Sequence, residues 1–322
     1  MSRNNPILYI VIPCYNEEQV LPYTNPMFIE KIESLINTGQ VHQNSKVMYV
    51  NDGSKDQTWS LIQQYAKENS HVVGIAQSRN RGHQSSVLAG MYEAAEFADI
   101  VITIDADGQD DIHCMNQMIA EYKTGSEIVY GVRDNRDTDS AFKRITAEGF
   151  YKVMQLFGAD VVFNHADYRL VSKRFIHELA KFKEVNLFLR GIMPLVGFKY
   201  SYVTYKRHER IAGESHYPLS KMLALAMDGI TSLSIKPIRL ITSLGVITSL
   251  FSFLLIIWVL WSKFSGTVVA GWASTYAIVS LLGGVQLISL GVIGEYIGKI
   301  YLETKQRPRY IISDRTYDEN ND

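Results

Sequence analysis

Short apolar runs rich in β-branched residues recur along the first 132 positions, at Leu8–Pro13, Lys46–Asp52, Val72–Ser78, Ile100–Asp105 and Ile128–Val132. The stretches between them, near Glu17–Asn37, Gln57–Asn69, His83–Phe97 and Ile112–Lys123, place apolar residues three and four apart. That alternation predicts strands and amphipathic helices in turn, hence an α/β domain with a mostly parallel sheet. Such sheets bind ligands beyond the carboxyl ends of their strands, so the residues following each run are the candidate chemistry.

The pattern changes toward the C-terminus. From Pro237 to Ile300 only Arg239, Lys263, Glu295 and Lys299 are charged. Two uncharged runs, Leu240–Trp261 and Ala273–Gly294, each rise about 33 Å as helices, enough for a ~30 Å hydrocarbon core, and predict a transmembrane hairpin. Before it, Leu219, Met222, Leu223, Ala226, Met227 and Ile230 fall at helical spacing within Tyr217–Ile235, which predicts an amphipathic helix at the membrane surface. The expected organisation is an α/β domain over 1–210, a juxtamembrane segment over 211–236, the hairpin over 237–300 and a tail over 301–322. The tail after Tyr310 is polar and expected to be mobile.

Against this patterning the bulk composition says little. Hydrophobic residues make up 47% and charged residues 20%, and the net charge is −1, the values of an average soluble protein. They exclude a disordered chain and give no global attraction to nucleic acid. The placement of charge is more informative. Lys236 and Arg239 precede the first span and Lys299, Lys305, Arg307 and Arg309 follow the second, whereas the intervening loop has only Lys263. The positive-inside rule then puts both termini in the cytoplasm, in agreement with an N-terminus that lacks a secretory signal. Trp258, Trp261 and Trp272 stand where an interfacial aromatic belt belongs, and no ionisable residue lies inside either span, which argues against a channel or pump. Cys14 and Cys114 are expected to be free buried thiols.

The turns after the strands are polar and specific: Pro13-Cys14-Tyr15-Asn16-Glu17-Glu18, Asn51-Asp52-Gly53-Ser54-Lys55-Asp56, Ser78-Arg79-Asn80-Arg81-Gly82-His83-Gln84 and Asp105-Ala106-Asp107-Gly108-Gln109-Asp110-Asp111. Asn16, Asp56 and Asp111 are plausible helix N-caps, but capping alone does not demand four such sets at one sheet edge. Asp105 and Asp107 at a strand end would repel each other unless a divalent cation lies between them. Mg²⁺ favours one or two carboxylates completed by phosphate oxygens and water, so the pair suggests a metal–diphosphate site. Neither GxGxxG nor GxxxxGK[ST] occurs.

In order, PCYNEE, NDGSKD, RNRGHQ, DADGQD and the later ADYRL resemble glycosyltransferase family 2. With two C-terminal spans the chain is similar to the polyprenyl-phosphate glycosyltransferase branch of that family over nearly all of residues 7–310. The resemblance implies a GT-A fold and transfer of a sugar, glucose favoured over N-acetylglucosamine, from a UDP-sugar to undecaprenyl or another polyprenyl phosphate, with inversion and with Mg²⁺ or Mn²⁺. It implies a donor pocket of Pro13, Tyr15, Glu17, Asp52, Arg79, Gln84, Asp105 and Arg190, with Asp105 and Asp107 at the metal. It also implies a bacterial-type cytoplasmic membrane, contact with membrane lipids, a homo-oligomer, and a role in cell-envelope glycan modification. Arg81 and His216 depart from the residues common at their positions.

For the acceptor phosphate, Arg133, Arg136 and Ser140 match the positions that contact it in relatives, with Lys143 and Arg144 as weaker candidates. Arg207 and Arg210 would clamp lipid phosphate or donor diphosphate. Arg suits such work because its planar fork donates two hydrogen bonds at once. Asp167 matches the position proposed as catalytic base. A phosphate monoester is already largely dianionic at neutral pH, so Asp167 either removes a proton or orients the acceptor. Two rivals fare worse: the QxxRW signature of processive synthases is missing, and intact DAD and NDG motifs argue against a non-catalytic membrane scaffold.

Overall fold

A computed structural model describes residues 3–133, 165–185, 188–206, 231, 234–265 and 271–317. The elements run β1 (Leu8–Cys14), α1 (Leu21–Asn37), β2 (Lys46–Asn51), α2 (Thr58–Glu68), β3 (Val72–Gln77), α3 (His83–Phe97), β4 (Ile100–Thr103), α4 (Cys114–Lys123) and β5 (Ile128–Arg133). There follow β6 (His165–Ser172), α5 (Lys173–Leu179), α6 (Leu189–Leu195), β7 (Tyr200–Tyr205), α7 (Lys236–Phe264), α8 (Trp272–Lys305) and β8 (Ile312–Arg315). One eight-stranded sheet orders them β7-β5-β6-β4-β1-β2-β3-β8.

The two-residue repeat of β1 divides the core. Leu8, Ile10 and Ile12 face one side of the sheet, against Phe28, Ile32 and Leu35 of α1 and Met115, Met118 and Ile119 of α4. Tyr9 and Val11 face the other side, against Val87, Leu88 and Met91 of α3 and Phe175 and Ile176 of α5. Each such side chain stabilises the fold by about 1.5–3 kcal/mol on leaving water. Because both faces are covered, the central strands read as continuous apolar runs rather than alternating ones.

Six strands share one direction, as expected for a GT-A-like, mostly parallel sheet. The two exceptions matter most. Strand β6 runs antiparallel between β4 and β5, with Thr103 opposite Arg169. Its first residues therefore lie at the edge where the other strands end, and continuing that register sets Asp167 opposite Asp105. Strand β8 runs antiparallel to β3, with Gln77 opposite Ile312. Neither strand was apparent from periodicity, nor were β7, α5 and α6.

Strand β8 corrects the expectation of a mobile tail after Tyr310, because residues 312–315 form an edge strand. The Trp59 indole donates to Asp314 at 3.1 Å, the Gly74 N–H donates to Thr316 Oγ1 at 2.9 Å, and Arg315 pairs with Glu93 at 2.5 Å. Polar composition concealed the strand because its partners lie far away in the sequence. Removing everything after Tyr310 is expected to lower the thermal midpoint in detergent by roughly 5–10 °C, the effect of losing several net hydrogen bonds. An unchanged midpoint would show that the strand adds nothing to stability.

Helices α7 and α8 span 29 and 34 residues, longer than the uncharged runs, and each contains a stretch long and apolar enough to cross a membrane. Their apolar side chains face outward: Leu250, Phe251, Leu254, Leu281, Leu287 and Ile288 are all exposed. The Tyr296 hydroxyl donates to the Ser234 carbonyl at 2.5 Å, joining the end of the hairpin to its start. The Val185 N–H donates to the Glu303 carboxylate at 2.8 Å, and the Ser78 N–H to the Ile311 carbonyl at 2.9 Å. The chain leaving α8 thus rejoins the sheet at the edge where β3 ends. The expected amphipathic helix lies almost wholly outside the described residues.

Candidate active site

The first two turns form one pad. Asn16 adopts a left-handed φ of 55°, donates its N–H to Ser54 Oγ at 3.0 Å and accepts from the Lys55 N–H at 2.9 Å. Glu17 N–H donates to Thr58 Oγ1 at 2.9 Å, and Glu18 N–H to Asp56 at 3.2 Å. Asn16, Asp56 and Asp111 are therefore not N-caps: helices α1, α2 and α4 begin after Val20, Gln57 and His113, and the three side chains instead close turns and join loops. Asp52 is 3% exposed and accepts from the N–H groups of Arg81 at 2.7 Å and Gly82 at 2.9 Å. Burial raises its pKa, and these hydrogen bonds work against the rise. Gly53, at φ 63°, lets this turn touch the next one, since a Cβ there would lie 2.5 Å from Arg79 backbone. Pro13 is buried at the end of β1, whereas Tyr15 and Arg79 are exposed beside it.

Across the edge, Asp167 is the hub. Its Oδ1 accepts from the Arg169 guanidinium and from Arg190 Nε at 3.3 Å, and its Oδ2 accepts from the Arg190 Nη2 at 3.0 Å. His83 Nε2 lies 3.4 Å from Asp167 Oδ2 and 3.7 Å from Asp105 Oδ1. Burial pushes the Asp167 pKa up, but Arg190 and Arg169 outweigh it and hold the carboxyl well below the usual range. For His83 burial disfavours the charged ring, yet Asp167 and Asp105 lift it to about 9. Its side chain is 43% exposed, so water competes with both carboxylates and weakens their hold on the ring. Gln84 accepts from the Leu189 N–H at 2.8 Å and so ties the start of α3 to the start of α6, which carries Arg190.

A third group stands at the end of β5. Buried Asp110 accepts from the Tyr205 hydroxyl at 2.6 Å and from Arg133 at 3.4 Å, and Arg133 Nε also donates to the Tyr205 oxygen at 3.3 Å. Tyr168 packs edge-on against Tyr205, with ring centroids 5.3 Å apart. Arg136, Ser140, Lys143, Arg144, Arg207 and Arg210 lie outside the described residues.

This basic and acidic cluster stands at the strand ends of the α/β sheet, the edge singled out from sequence. The family model of glycosyl transferase family 2 matches residues 9–180, and that of the GtrB C-terminal hairpin matches residues 236–300. The chain belongs to glycosyl transferase family 2. The transferase is 46% identical to the uncharacterized glycosyltransferase YkoT of Bacillus subtilis, over 99% of this chain and 95% of that one. It is 37% identical to the bactoprenol glucosyl transferase of Shigella phage SfX, over 95% and 98% respectively. Against the prophage bactoprenol glucosyl transferase homolog of Escherichia coli K12 the identity is 36%, over 94% and 97%.

Within this glycosyltransferase, the carboxylates fit a divalent cation that is completed by its substrate. Burial raises the Asp105 pKa; His83 opposes the rise, and the like charges of Asp110, Asp167 and Asp107 add to it, so a cation here would relieve repulsion. Among the described residues no three His, Cys, Asp or Glu side chains converge as a ready-made cage. Mg²⁺ commonly takes one or two carboxylates, with phosphate oxygens and water as the remaining ligands. His83, Asp110 and Tyr205 had been given no role from sequence. His83 was visible only as part of RNRGHQ, and nothing in the spacing of Asp110 and Tyr205 pairs them. Cys14 and Cys114 are buried free thiols, and burial pushes Cys114 up to about 12, so neither serves as a nucleophile.

Proposed function

We propose that this transferase moves a sugar, with glucose favoured, from a UDP-sugar to a polyprenyl phosphate, inverting the anomeric centre. The observation that carries the reading is one shared edge. Asp105, Asp107, Asp167, Arg190 and Arg133 gather where the parallel strands end, and the chain returns from its apolar hairpin at that same edge. A lipid-borne phosphate is held at a membrane surface, so an active edge tied to a membrane hairpin meets it by two-dimensional diffusion. The Shigella phage and Escherichia coli relatives are a bactoprenol glucosyl transferase and a homolog of one, which supports the class of acceptor and the preference for glucose.

The pad from Pro13 to Asp56, with Arg79, takes the nucleoside. Asp105 and Asp107 would hold Mg²⁺ or Mn²⁺, which when bound neutralises charge on the diphosphate as it departs. Arg190 faces that diphosphate, and Arg133 the acceptor phosphate, where forked guanidinium groups donate two bonds at once. The acceptor oxygen attacks the anomeric carbon as the bond to the diphosphate breaks, releasing UDP. No sugar–enzyme bond forms. The Lys and Arg residues flanking the hairpin support a reading in which both its ends and the catalytic domain are on the cytoplasmic side.

The test uses membranes holding the full chain, undecaprenyl phosphate and radiolabelled UDP-glucose, UDP-N-acetylglucosamine or GDP-mannose. Label is expected in the lipid fraction with UDP-glucose. Transfer only from UDP-N-acetylglucosamine would change the sugar and leave the reaction class. Failure with all three donors, in a fold that binds UDP, would overturn the reading.

A further inference from the structure

We propose that Asp167 is a positioning residue that aims Arg190 at the donor diphosphate, rather than a base that takes a proton from the acceptor. The inference rests on the donor reading above and deepens it. A general base needs an oxygen open toward the acceptor. Both oxygens of Asp167 are engaged by arginines instead, Oδ1 by Arg169 and Arg190 and Oδ2 by Arg190, and His83 Nε2 lies 3.4 Å from Oδ2. The Asp167 backbone carbonyl is fixed as well, accepting from Thr103 Oγ1 at 2.6 Å. The backbone is therefore tied to β4, and the carboxylate cannot swing outward without breaking its charge-assisted bonds to Arg169 and Arg190.

The Arg190 contact has a definite shape. Nε and Nη2 grip the two carboxylate oxygens, one each, at 3.3 and 3.0 Å. That two-point grip fixes the plane of the guanidinium, and its side chain stays 33% exposed at the sheet edge. Arg169 has no such freedom, being fully buried in the sheet. Asp167 thus joins a structural arginine beneath it to a working arginine above it. The chemistry agrees, since a phosphate monoester that is already dianionic gives a base little to do.

The experiment measures UDP binding in the presence of Mn²⁺ and, separately, sugar transfer, using the full chain in detergent. Asp167→Asn, Arg190→Gln and the double variant are compared with wild type. If Asp167 acts through Arg190, each single change weakens UDP binding by roughly 10- to 100-fold, the scale of one charge-assisted bidentate contact. The double variant then binds UDP about as weakly as either single one, because both remove the same interaction. Wild-type UDP affinity in Asp167→Asn, with transfer lost, would overturn the positioning role and restore a base or acceptor role. Additive losses in the double variant would overturn it also.

Arg190→Lys gives a second route should Asp167→Asn fail to fold. It keeps the charge and removes the fork, and is expected to lose UDP affinity to a similar degree; undiminished affinity overturns the proposal. Failure of wild type to bind UDP at all would instead sink the donor reading itself, and this inference with it.

Discussion

Asp107→Asn is expected to lower sugar transfer on the order of 10³-fold while leaving the fold intact, as loss of several kcal/mol of leaving-group stabilisation requires. The substitution separates chemistry from structure. Asp107 Oδ1 accepts the Gln109 N–H at 3.1 Å, and an asparagine oxygen at the same place accepts it equally well. The turn therefore keeps its shape, and only the negative charge is lost. A metal held by two carboxylates loses half its protein anions when one is neutralised, so this change should affect transfer more than any change in the pad around Asp52. The measurement is the initial rate of transfer against Mg²⁺ or Mn²⁺ concentration, together with the thermal midpoint. A variant with an unchanged midpoint and a steeply reduced rate at every metal concentration fits the assignment. A wild-type rate would remove Asp107 from the metal site.

How much of this site was legible from sequence depends on the direction of each strand. Turns that follow parallel strands announce themselves, because an apolar run ends and polar residues begin at the functional edge. Pro13, Asp52, Arg79, Asp105 and Asp107 all stand in or beside turns singled out that way, and the five strands came out within two residues of their bounds. Strand β6 breaks the rule, since it is antiparallel and presents its first residues, not its last, to the same edge. Periodicity gave no hint of it, partly because Arg169 sits fully buried in its middle and spoils the apolar pattern. Asp167 was reached only through a motif resemblance. Its partners were harder still: Arg190 and His83 lie 23 residues after it and 84 before it, and only the closed sheet brings them to one carboxylate. The β8 strand failed for the same reason, being polar, short and paired with a strand more than 230 residues earlier. Local pattern reports on the face an element buries. It says nothing about which distant element covers that face.

Asp167→Ala is expected to be the most destabilising single change at the site. Arg169 is 0% exposed, and its other contacts are the Asp167 carbonyl at 3.4 Å and the Met193 sulfur at 3.0 Å. Without the carboxylate its charge stays buried with no counterion among the described residues, a situation that costs about 3–5 kcal/mol. For a domain of this size that corresponds to a fall in thermal midpoint of roughly 10 °C or more. Arg190 and His83 also lose their partner, but both reach water and contribute less. A second substitution tests this cause directly. Arg169→Met removes the stranded charge and keeps most of the volume, so the Asp167→Ala, Arg169→Met pair is expected to recover most of the lost midpoint, because replacing both members of a buried ion pair by apolar groups is often neutral. Transfer should not recover, since nothing then fixes the plane of Arg190. A double variant as unstable as Asp167→Ala would show that the loss came from packing rather than from an uncompensated charge. Recovery of stability without recovery of transfer would show the buried pair supporting the fold and the exposed pair supporting the reaction, through one shared carboxylate.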